Sequence, residues 1–428
     1  MRTAWRLLAG HRDLRLVLSA ALISQSGDWI LITGLLYRVY ALTGSTVASA
    51  LTMLSSFLPQ VLLGPLAGVF ADRWDRKLTM ILADFLLAAG LLPLLAVHGR
   101  GQIWIVLAVL IWEGAVQQFF SPAQLAMIPR LIPEDQLLGA NALSGQVTDL
   151  SRLAGSALGG IIAATSGITG VALADAASFL ASAALLALIR TSGAIKRNEQ
   201  LAPPGRIAAI GRDLADGLRL AARDGMLRAL MIFGLVTGVG EGVVATLVAP
   251  FVRHVLHGSS QEFGLFLAAQ AIGGITGGAF AVWIGQRATA ARLLTCGAVA
   301  VGVIDLAIFL YPLGYVAAWP AVLGIVLVGL PVALTMAGLM TLCQQNAPDT
   351  HLGRVFGAYA ATQAIAMLAG ALAGGLLARP FGVIAVISAQ GAAYLIAGLA
   401  MAAWLRGGQA GATREETRMA AKQREAAP

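Results

Sequence analysis

The chain has 428 residues, of which 58% are hydrophobic and only 12% are charged. A soluble globular protein carries about 25% charged residues, so this chain has too little polar surface to be covered by water. The net charge of +8 fits unequal placement of cations on the two sides of a membrane better than nucleic-acid binding. The composition therefore indicates a protein whose solvent is the lipid bilayer.

Twelve apolar runs are long enough to cross a bilayer as helices, which takes about 20 residues each. We number them spans 1 to 12. They are 16–39, 47–70, 78–98, 103–123, 141–164, 170–190, 228–250, 261–284, 291–311, 317–342, 355–378 and 382–405. The sequence thus predicts an all-α membrane protein with twelve transmembrane helices.

The longest interruption between spans is 191–227, which contains a stretch with apolar residues on one side and arginines on the other. That pattern is typical of an amphipathic helix on a membrane surface. The interruption divides the chain into a six-helix bundle (1–190), a cytoplasmic linker with this helix (191–227), a second six-helix bundle (228–406) and a disordered cytoplasmic tail (407–428).

The two predicted bundles look like repeats of each other. A shift of 215 residues places matching residues together: Pro133 on Pro348, Leu153-Ala154-Gly155 on Leu368-Ala369-Gly370, Gly159-Gly160 on Gly374-Gly375, and Gly167 on Gly382. Because the shift carries one six-span half onto the other, the halves share an orientation. We expect them to be related by an axis along the membrane normal.

The distribution of cations predicts which side of the membrane each segment faces. Of the 29 Lys and Arg, we place on the outer side only Arg38, Arg100, Arg253 and Arg379. This asymmetry predicts that both termini are cytoplasmic. The first span is too long for a cleavable signal peptide, and Cys296 and Cys343 lie within apolar runs, so a disulfide framework is not expected.

A charged turn, GPLAGVFADRWDRK (64–77), separates spans 2 and 3. It resembles the signature loop between helices 2 and 3 of the major facilitator superfamily, and the matching residues are Gly68, Asp72, Arg73, Arg76 and Lys77. Asp75 stands where that family usually has Gly. The resemblance covers nearly the whole chain and implies two pseudo-symmetric six-helix bundles that rock about a central cavity.

The resemblance also implies a cytoplasmic gate. Asp72 is expected to contact the start of span 11 near Arg354, where a cation and the positive end of a helix meet. Arg73, Arg76 and Lys77 also fit a simple topological anchor, which explains the anionic Asp72 poorly. The spacing of Asp149 and Arg152 in span 5 predicts an ion pair, either internal or joined to the same gate.

Two further stretches resemble exporters within the superfamily. RLAGSALGGIIAA (152–164) is similar to the glycine-rich motif of exporter helix 5, with Ser156 in place of the usual Pro. The stretch 119–143 resembles the connection between helices 4 and 5 in macrolide and siderophore exporters. These likenesses imply the macrolide-efflux and siderophore-exporter branch, whose members are drug:proton antiporters.

Spans 2, 5, 8 and 11 each carry two glycines four residues apart, which place both glycines on one helix face. The resemblance implies that these helices meet across the two halves, where small residues would allow rocking; generic close packing is the alternative interpretation. The pairs are Gly64/Gly68, Gly155/Gly159, Gly273/Gly277 and Gly370/Gly374.

Several carboxylates lie within predicted spans, where an ionisable group is costly and usually functional. Helices 1, 4 and 7 line the cavity of the resembled fold, so the candidate proton or cation-substrate sites are Asp28, Glu113 and Glu241, with Asp305 in span 9 as a further candidate. Burial favours the protonated form of a carboxylate. The alternative for each is a buried carboxylate hydrogen-bonded to a neighbouring helix. Asp175 and Asp305 are both expected more often to be structural, and Asp84 is expected at the membrane interface.

Other side chains suggest binding functions less directly. The aromatic residues that could stack on a flat substrate are Trp29, Tyr37, Trp112, Phe119 and Phe120. His254 and His257 have a metal-like spacing in a short loop without a further ligand, so we expect no metal. No phosphate-binding loop, nucleophile with its base, or cofactor motif is present in the sequence, so neither enzyme activity nor ATP use is expected.

These features together predict a secondary active transporter that exports a small amphipathic molecule, such as a drug, macrolide or siderophore, by proton-coupled alternating access. A lipid or lysophospholipid carrier is an alternative, and so is a membrane sensor that no longer transports. The expected partners are a small-molecule substrate, protons and the bilayer, without nucleic acid. We expect a monomer in the cytoplasmic (inner) membrane.

Overall fold

A computed structural model describes residues 8, 10–71, 75–133, 136–191, 206–285, 287–347 and 352–406. Within these residues all regular structure is helical. The main helices are α1 Arg12–Thr43, α2 Thr46–Ala71, α3 Arg76–Gly90, α4 Ile103–Leu131, α5 Leu137–Ala187, α6 Arg206–Arg223, α7 Gly225–Pro250, α8 Ser260–Gly285, α9 Ala290–Leu310, α10 Trp319–Asn346, α11 Leu352–Phe381 and α12 Val383–Ile387. A final helix, α13, covers 389–406.

Ten helical segments of the described chain are long and apolar enough to cross a membrane. One of them, α5, contains two spans because its backbone breaks at Gly167. The 26-residue apolar helix α8 supplies another. The prediction of an all-α protein with twelve spans is therefore confirmed.

Two hydrophobic cores lie side by side. One is built from α1, α3, α4 and α5, with Leu31, Leu35 and Phe179 fully buried. The other is built mainly from α7 to α13, with Phe251 and Phe309 fully buried. We call the two bundles the N-half and the C-half. We call the end of the bundle at which α1 finishes the far end, and the end at which α1 begins the near end.

Glycines at equivalent positions of the repeat form the turns at the far end. Gly167 has φ 64° and ψ −151°, and Gly382 has φ 83° and ψ 153°. Only glycine adopts these conformations without strain. The 215-residue offset therefore relates two backbones of the same unusual shape. The separate spans expected on either side of Gly167 are instead joined with no intervening loop.

Helix α6 docks on the beginning of α11. Gly217 lies so close to the backbone oxygen of Arg354 that a Cβ there would overlap it. Asp216 lies 3.3 Å from Arg219 and 4.0 Å from Arg354. The amphipathic helix predicted for the membrane surface thus packs on protein along at least one side.

Candidate functional site

A cavity of about 580 Å³ lies between the two halves. This volume is within the range of sites that enclose drug-sized ligands, about 300–1,000 Å³. Its walls are mainly apolar and also carry amides and carboxylates. The residues that carry these amides and carboxylates are Asp28, Gln60, Glu113, Gln117, Gln118, Glu241, Gln270, Asp305 and Gln390. All four carboxylates that the sequence placed at a cavity line this one, and their function stays a prediction.

The carboxylates of the C-half are held by neutral donors. The Tyr394 hydroxyl donates to Glu241 Oε1 at 2.6 Å, and Gln363 Nε2 donates to Glu241 Oε2 at 3.2 Å. Gln390 Nε2 donates to Asp305 Oδ2 at 2.9 Å. Each bond orients its carboxylate and leaves it at the cavity wall. This arrangement can accept a proton or a cation without first breaking an ion pair.

The N-half instead brings three carboxylates together. One oxygen each from Asp28, Glu113 and Asp175 lies within 4.8 Å of the others. Two charges 4.8 Å apart repel by about 3 kcal/mol at an effective dielectric constant of about 20. The three groups therefore cannot all be ionised at low cost unless a cation lies among them. Without such a cation, at least one of them is expected to carry a proton.

Local packing positions this group. Gly27 leaves room for the side chains of Asp175 and Ser178, which a Cβ at that position would overlap. Ser178 Oγ donates to Asp175 Oδ1 at 3.1 Å, and Gln117 Nε2 donates to Asp28 Oδ2 at 3.0 Å. Helices α1, α4 and the second arm of α5 are thereby fixed around the cluster.

The sequence predicted Asp84 at the membrane interface, and this prediction is wrong. Asp84 is completely buried in α3, beside the Ser182 hydroxyl of α5. Asp84 is the ninth residue of the 15-residue helix α3, and it lies on the buried face with Met80 and Leu87, which packs into the N-half. Asp84 is thus a fourth carboxylate inside the N-half, in addition to Asp28, Glu113 and Asp175.

The residues of the predicted gate lie in different surroundings. Asp72 and Arg73 lie outside the described residues, and Gly64 and Gly68 are described only as part of the α2 backbone. Arg76 Nη1 donates to the Ala126 oxygen at 2.8 Å. Lys77 Nζ donates to the backbone oxygens at the end of α5, Ala187 at 3.0 Å and Ile189 at 2.7 Å. These bonds of Arg76 and Lys77 tie α3 to the N-half itself.

The pair predicted in α5 is present. Arg152 Nη2 lies 3.6 Å from Asp149 Oδ1, and both side chains are partly exposed. The Arg152 guanidinium also lies 6.0 Å from the Trp29 ring centroid, beside the cavity. Whether this pair belongs to a gate stays a prediction, as does the gating role of Arg354.

The helices that carry these pairs do meet across the halves, α5 with α8 and α2 with α11, but the described pairs themselves pack inside the halves, in agreement with the alternative of generic close packing. Gly155 and Gly159 face α1, Gly273 and Gly277 face α10, and Gly370 and Gly374 face α7. The neighbouring glycines make the contacts across the halves. A Cβ on Gly160 would lie 2.5 Å from the Ser260 oxygen in α8, and a Cβ on Gly375 would lie 2.5 Å from the Ala50 Cβ in α2.

Hydrogen bonds join the halves at the far end. Tyr37 donates to the Gly258 oxygen at 3.0 Å and accepts from Arg253 Nη1 at 2.9 Å. Thr46 Oγ1 donates to the Gly375 oxygen at 2.7 Å. With the Gly160 contact, these bonds hold the far end of the two bundles together.

Of the five aromatic residues that the sequence suggested for stacking, only Trp29 lines the cavity. Trp112 is exposed, packs against Gly90 and donates to the Leu86 oxygen at 3.0 Å. The aromatic residues that line the cavity and that sequence reasoning missed are Phe57, Phe266, Phe309 and Tyr394. Their helix positions gave no signal, because apolar residues occupy every face of these spans.

A membrane-embedded pair of repeated bundles with a cavity between them is the architecture of a secondary transporter. The comparisons with known proteins agree. A family model described as transmembrane secretion effector matches residues 5–425. The chain belongs to this family of major facilitator transporters, and it is not an enzyme.

Characterised relatives include efflux pumps. The chain is 30% identical to the multidrug efflux pump Tap of Mycolicibacterium fortuitum over 380 residues, 84% of this chain and 89% of Tap. It is 24% identical to macrolide efflux protein A of Streptococcus pyogenes over 357 residues, 83% of this chain and 86% of that protein. A further relative, the uncharacterized MFS-type transporter YfiS of Bacillus subtilis, is 27% identical over 403 residues, 92% of this chain and 93% of YfiS.

Solved structures show the same fold. A bacterial homologue of the iron transporter ferroportin, in an inward-facing state, matches with TM-score 0.73 and 17% identity, over 92% of this chain and 98% of that one. The nucleoside transporter NupG matches with TM-score 0.74 and 11% identity, over 91% and 99%. The predicted major facilitator fold is confirmed.

Proposed function

We propose that this transporter exports small amphipathic molecules, of the drug, macrolide or siderophore type, in exchange for protons. The observation that carries the proposal is the cavity, whose apolar walls and amides suit an amphipathic cargo and whose carboxylates come from both halves. The efflux relatives support the direction of transport. The two bundles, 1–190 and 228–406, rock about this cavity in alternating access.

Glu241 and Asp305 are the proposed proton carriers. Both lie on the C-half wall and are oriented by neutral donors, so protonation does not leave a partner cation unpaired. An intramembrane carboxylate is expensive to keep unless it is used. Asp28 and Glu113 face the same cavity from the N-half, where they could also contact cargo.

The test is transport in proteoliposomes with an imposed pH gradient, using a macrolide and a cationic dye as cargo. Glu241→Gln and Asp305→Asn should abolish transport that depends on the gradient, and an uncoupler should do the same to the unmodified protein. Glu262→Gln is the matched control, since it removes a carboxylate of the same half at the start of α8, outside the cavity. It should leave transport unchanged.

Two results would overturn the proposal. Gradient-driven transport that persists in both Glu241→Gln and Asp305→Asn would remove the proposed coupling. Transport of lysophospholipid, with none of macrolide or dye, would replace the proposed cargo by a lipid.

We further propose that this protein lies in the inner membrane with its near end facing the cytoplasm. We also propose that it transports as a monomer. The basic residues Arg76 and Lys77 at the near end support this orientation through the positive-inside bias. In a chain with Cys296→Ser and Cys343→Ser, the far-end substitution His98→Cys should allow reaction with an impermeant maleimide added to intact spheroplasts. Labelling only after permeabilisation would reverse the orientation.

A further inference from the structure

We propose that the N-half contains a divalent-cation site formed by the carboxylates of Asp28, Glu113 and Asp175, with the Gln117 side-chain oxygen as a fourth donor. We call this group the acid cluster. The site goes beyond the proposed export activity and does not depend on it, because it is defined by binding of the ion alone.

The spacing of the oxygens suits a single ion. Oxygen ligands lie about 2.0–2.1 Å from Mg²⁺ and about 2.3–2.6 Å from Ca²⁺, so two ligands of one ion can be up to about 4–5 Å apart. The three carboxylate oxygens lie within 4.8 Å of one another. Even at that upper limit, an ion at the centre would lie about 2.8 Å from each oxygen, so side-chain movements of a few tenths of an ångström bring all three into the Ca²⁺ range.

Buried oxygens without hydrogen-bond partners, on these three side chains and on the neighbouring Gln117, are a second indication. Asp28 Oδ1, Glu113 Oε2, Asp175 Oδ2 and Gln117 Oε1 are each buried and lack a hydrogen bond, and Asp175 as a residue is completely buried. A buried polar atom normally has a partner, so four such atoms around one cluster require an explanation. A bound cation supplies it.

The opposite atoms of the same side chains are already held. Gln117 donates to the second oxygen of Asp28, and Ser178 donates to the second oxygen of Asp175. Such outer hydrogen bonds fix the direction in which a metal-ligating carboxylate points. The free oxygens are thus pre-oriented rather than randomly unpaired.

Comparison of the two halves shows that the extra charge is specific to the N-half. The 215-residue offset places Asp175 on Gln390, and each packs against a glycine of its half, Gly27 and Gly240 respectively. In the C-half, the Gln390 amide donates to Asp305. An ionised carboxylate such as Asp175 has no hydrogen to donate. The C-half therefore pairs a donor with an acceptor at this position, whereas the N-half has only hydrogen-bond acceptors there.

No ion pair that the structure shows among the described residues neutralises the cluster, since none of them involves a carboxylate of the acid cluster. Arg152, the cation beside Trp29, pairs with Asp149 instead. An all-oxygen donor set favours hard cations such as Mg²⁺, Ca²⁺ and Mn²⁺ over ions that prefer nitrogen or sulfur.

The experiment measures Mn²⁺ binding to the purified full-length protein, after chelator treatment, by loss of the electron paramagnetic resonance signal of free Mn²⁺. We expect one saturable site per chain, with Ca²⁺ or Mg²⁺ competing. Asp175→Asn and Glu113→Gln should each weaken binding by at least about tenfold, as removal of even an outer partner does at metal sites. Glu113 borders the open cavity, so its variant tests the site if Asp175→Asn fails to fold.

Asp305→Asn is the matched control, because it neutralises a buried carboxylate at the cavity but outside the acid cluster. It should bind Mn²⁺ as the unmodified protein does. Absence of saturable binding, unchanged binding in Glu113→Gln, or an equal loss in Asp305→Asn would each overturn the site. Binding is measured without cargo or gradient, so a failure of proton-coupled export leaves this result standing, and the reverse also holds.

Discussion

Replacing Gly160 by alanine should open the far end of the transporter. Gly160 lies where α5 of the N-half crosses α8 of the C-half, and its Cα hydrogen faces the backbone. A Cβ at this position would lie 2.5 Å from the Ser260 oxygen and 3.0 Å from the Gly264 Cα. Both are main-chain atoms, so neither can move aside as the end of a flexible side chain would.

The magnitude follows from the cost of an added methyl group at a close-packed contact, which is about 1–3 kcal/mol. The alanine methyl clashes only while the far end is closed, so that cost falls on the closed state alone. A difference of 1.36 kcal/mol is a tenfold change in an equilibrium, so the population should shift toward far-end opening by about 5- to 150-fold.

The assay is a distance measurement between spin labels at positions 98 and 316, which lie at the far end on the N-half and the C-half. Cys296 and Cys343 are first replaced by serine. Gly145→Ala is the matched control, because a Cβ at that position in the same helix meets no atom within 4 Å. If Gly160→Ala and Gly145→Ala gave the same distance distribution, the contact would not hold the far end closed.

Three further outcomes are expected. Tyr37→Phe removes a hydroxyl that bonds to the other half, so it should shift the same label distances toward opening by about 1 kcal/mol per lost bond, whereas Tyr315→Phe should not. Asp175→Asn should raise the melting temperature in chelator by a few degrees, because it relieves repulsion among buried carboxylates; a lower value would contradict the charge argument. Gly217→Leu should detach α6, at a cost of about 1–3 kcal/mol, and expose it to protease, while Gly225→Ala should remain protected.

The helices could be predicted from the sequence because a bilayer sets both the length and the polarity of a span. The offset of 215 residues also predicted correctly that the halves are built alike, down to the backbone at Gly167 and Gly382. These inferences need only the order of residues along the chain. They do not need the rotation of any helix about its axis.

Rotation explains what the sequence did not predict. A span that is apolar all round gives no periodic signal for the face that meets the cavity. Asp175 therefore looked like a structural carboxylate, and its approach to Asp28 is set by Gly27, whose role shows only in three dimensions. For the same reason, the sequence did not show that Gly159 faces α1 whereas the adjacent Gly160 faces the other half.

The turns at Gly167 and Gly382 have a practical consequence for anyone who wishes to engineer this protein. The chain passes from one helix to the next there through a single residue with no loop. An epitope tag or fluorescent protein inserted at that residue would therefore disrupt the ends of two helices. The segments near His98 and Val316 have irregular backbone at the same end of the bundle. Inserts should be tolerated at those places, and the glycine corners should be left intact.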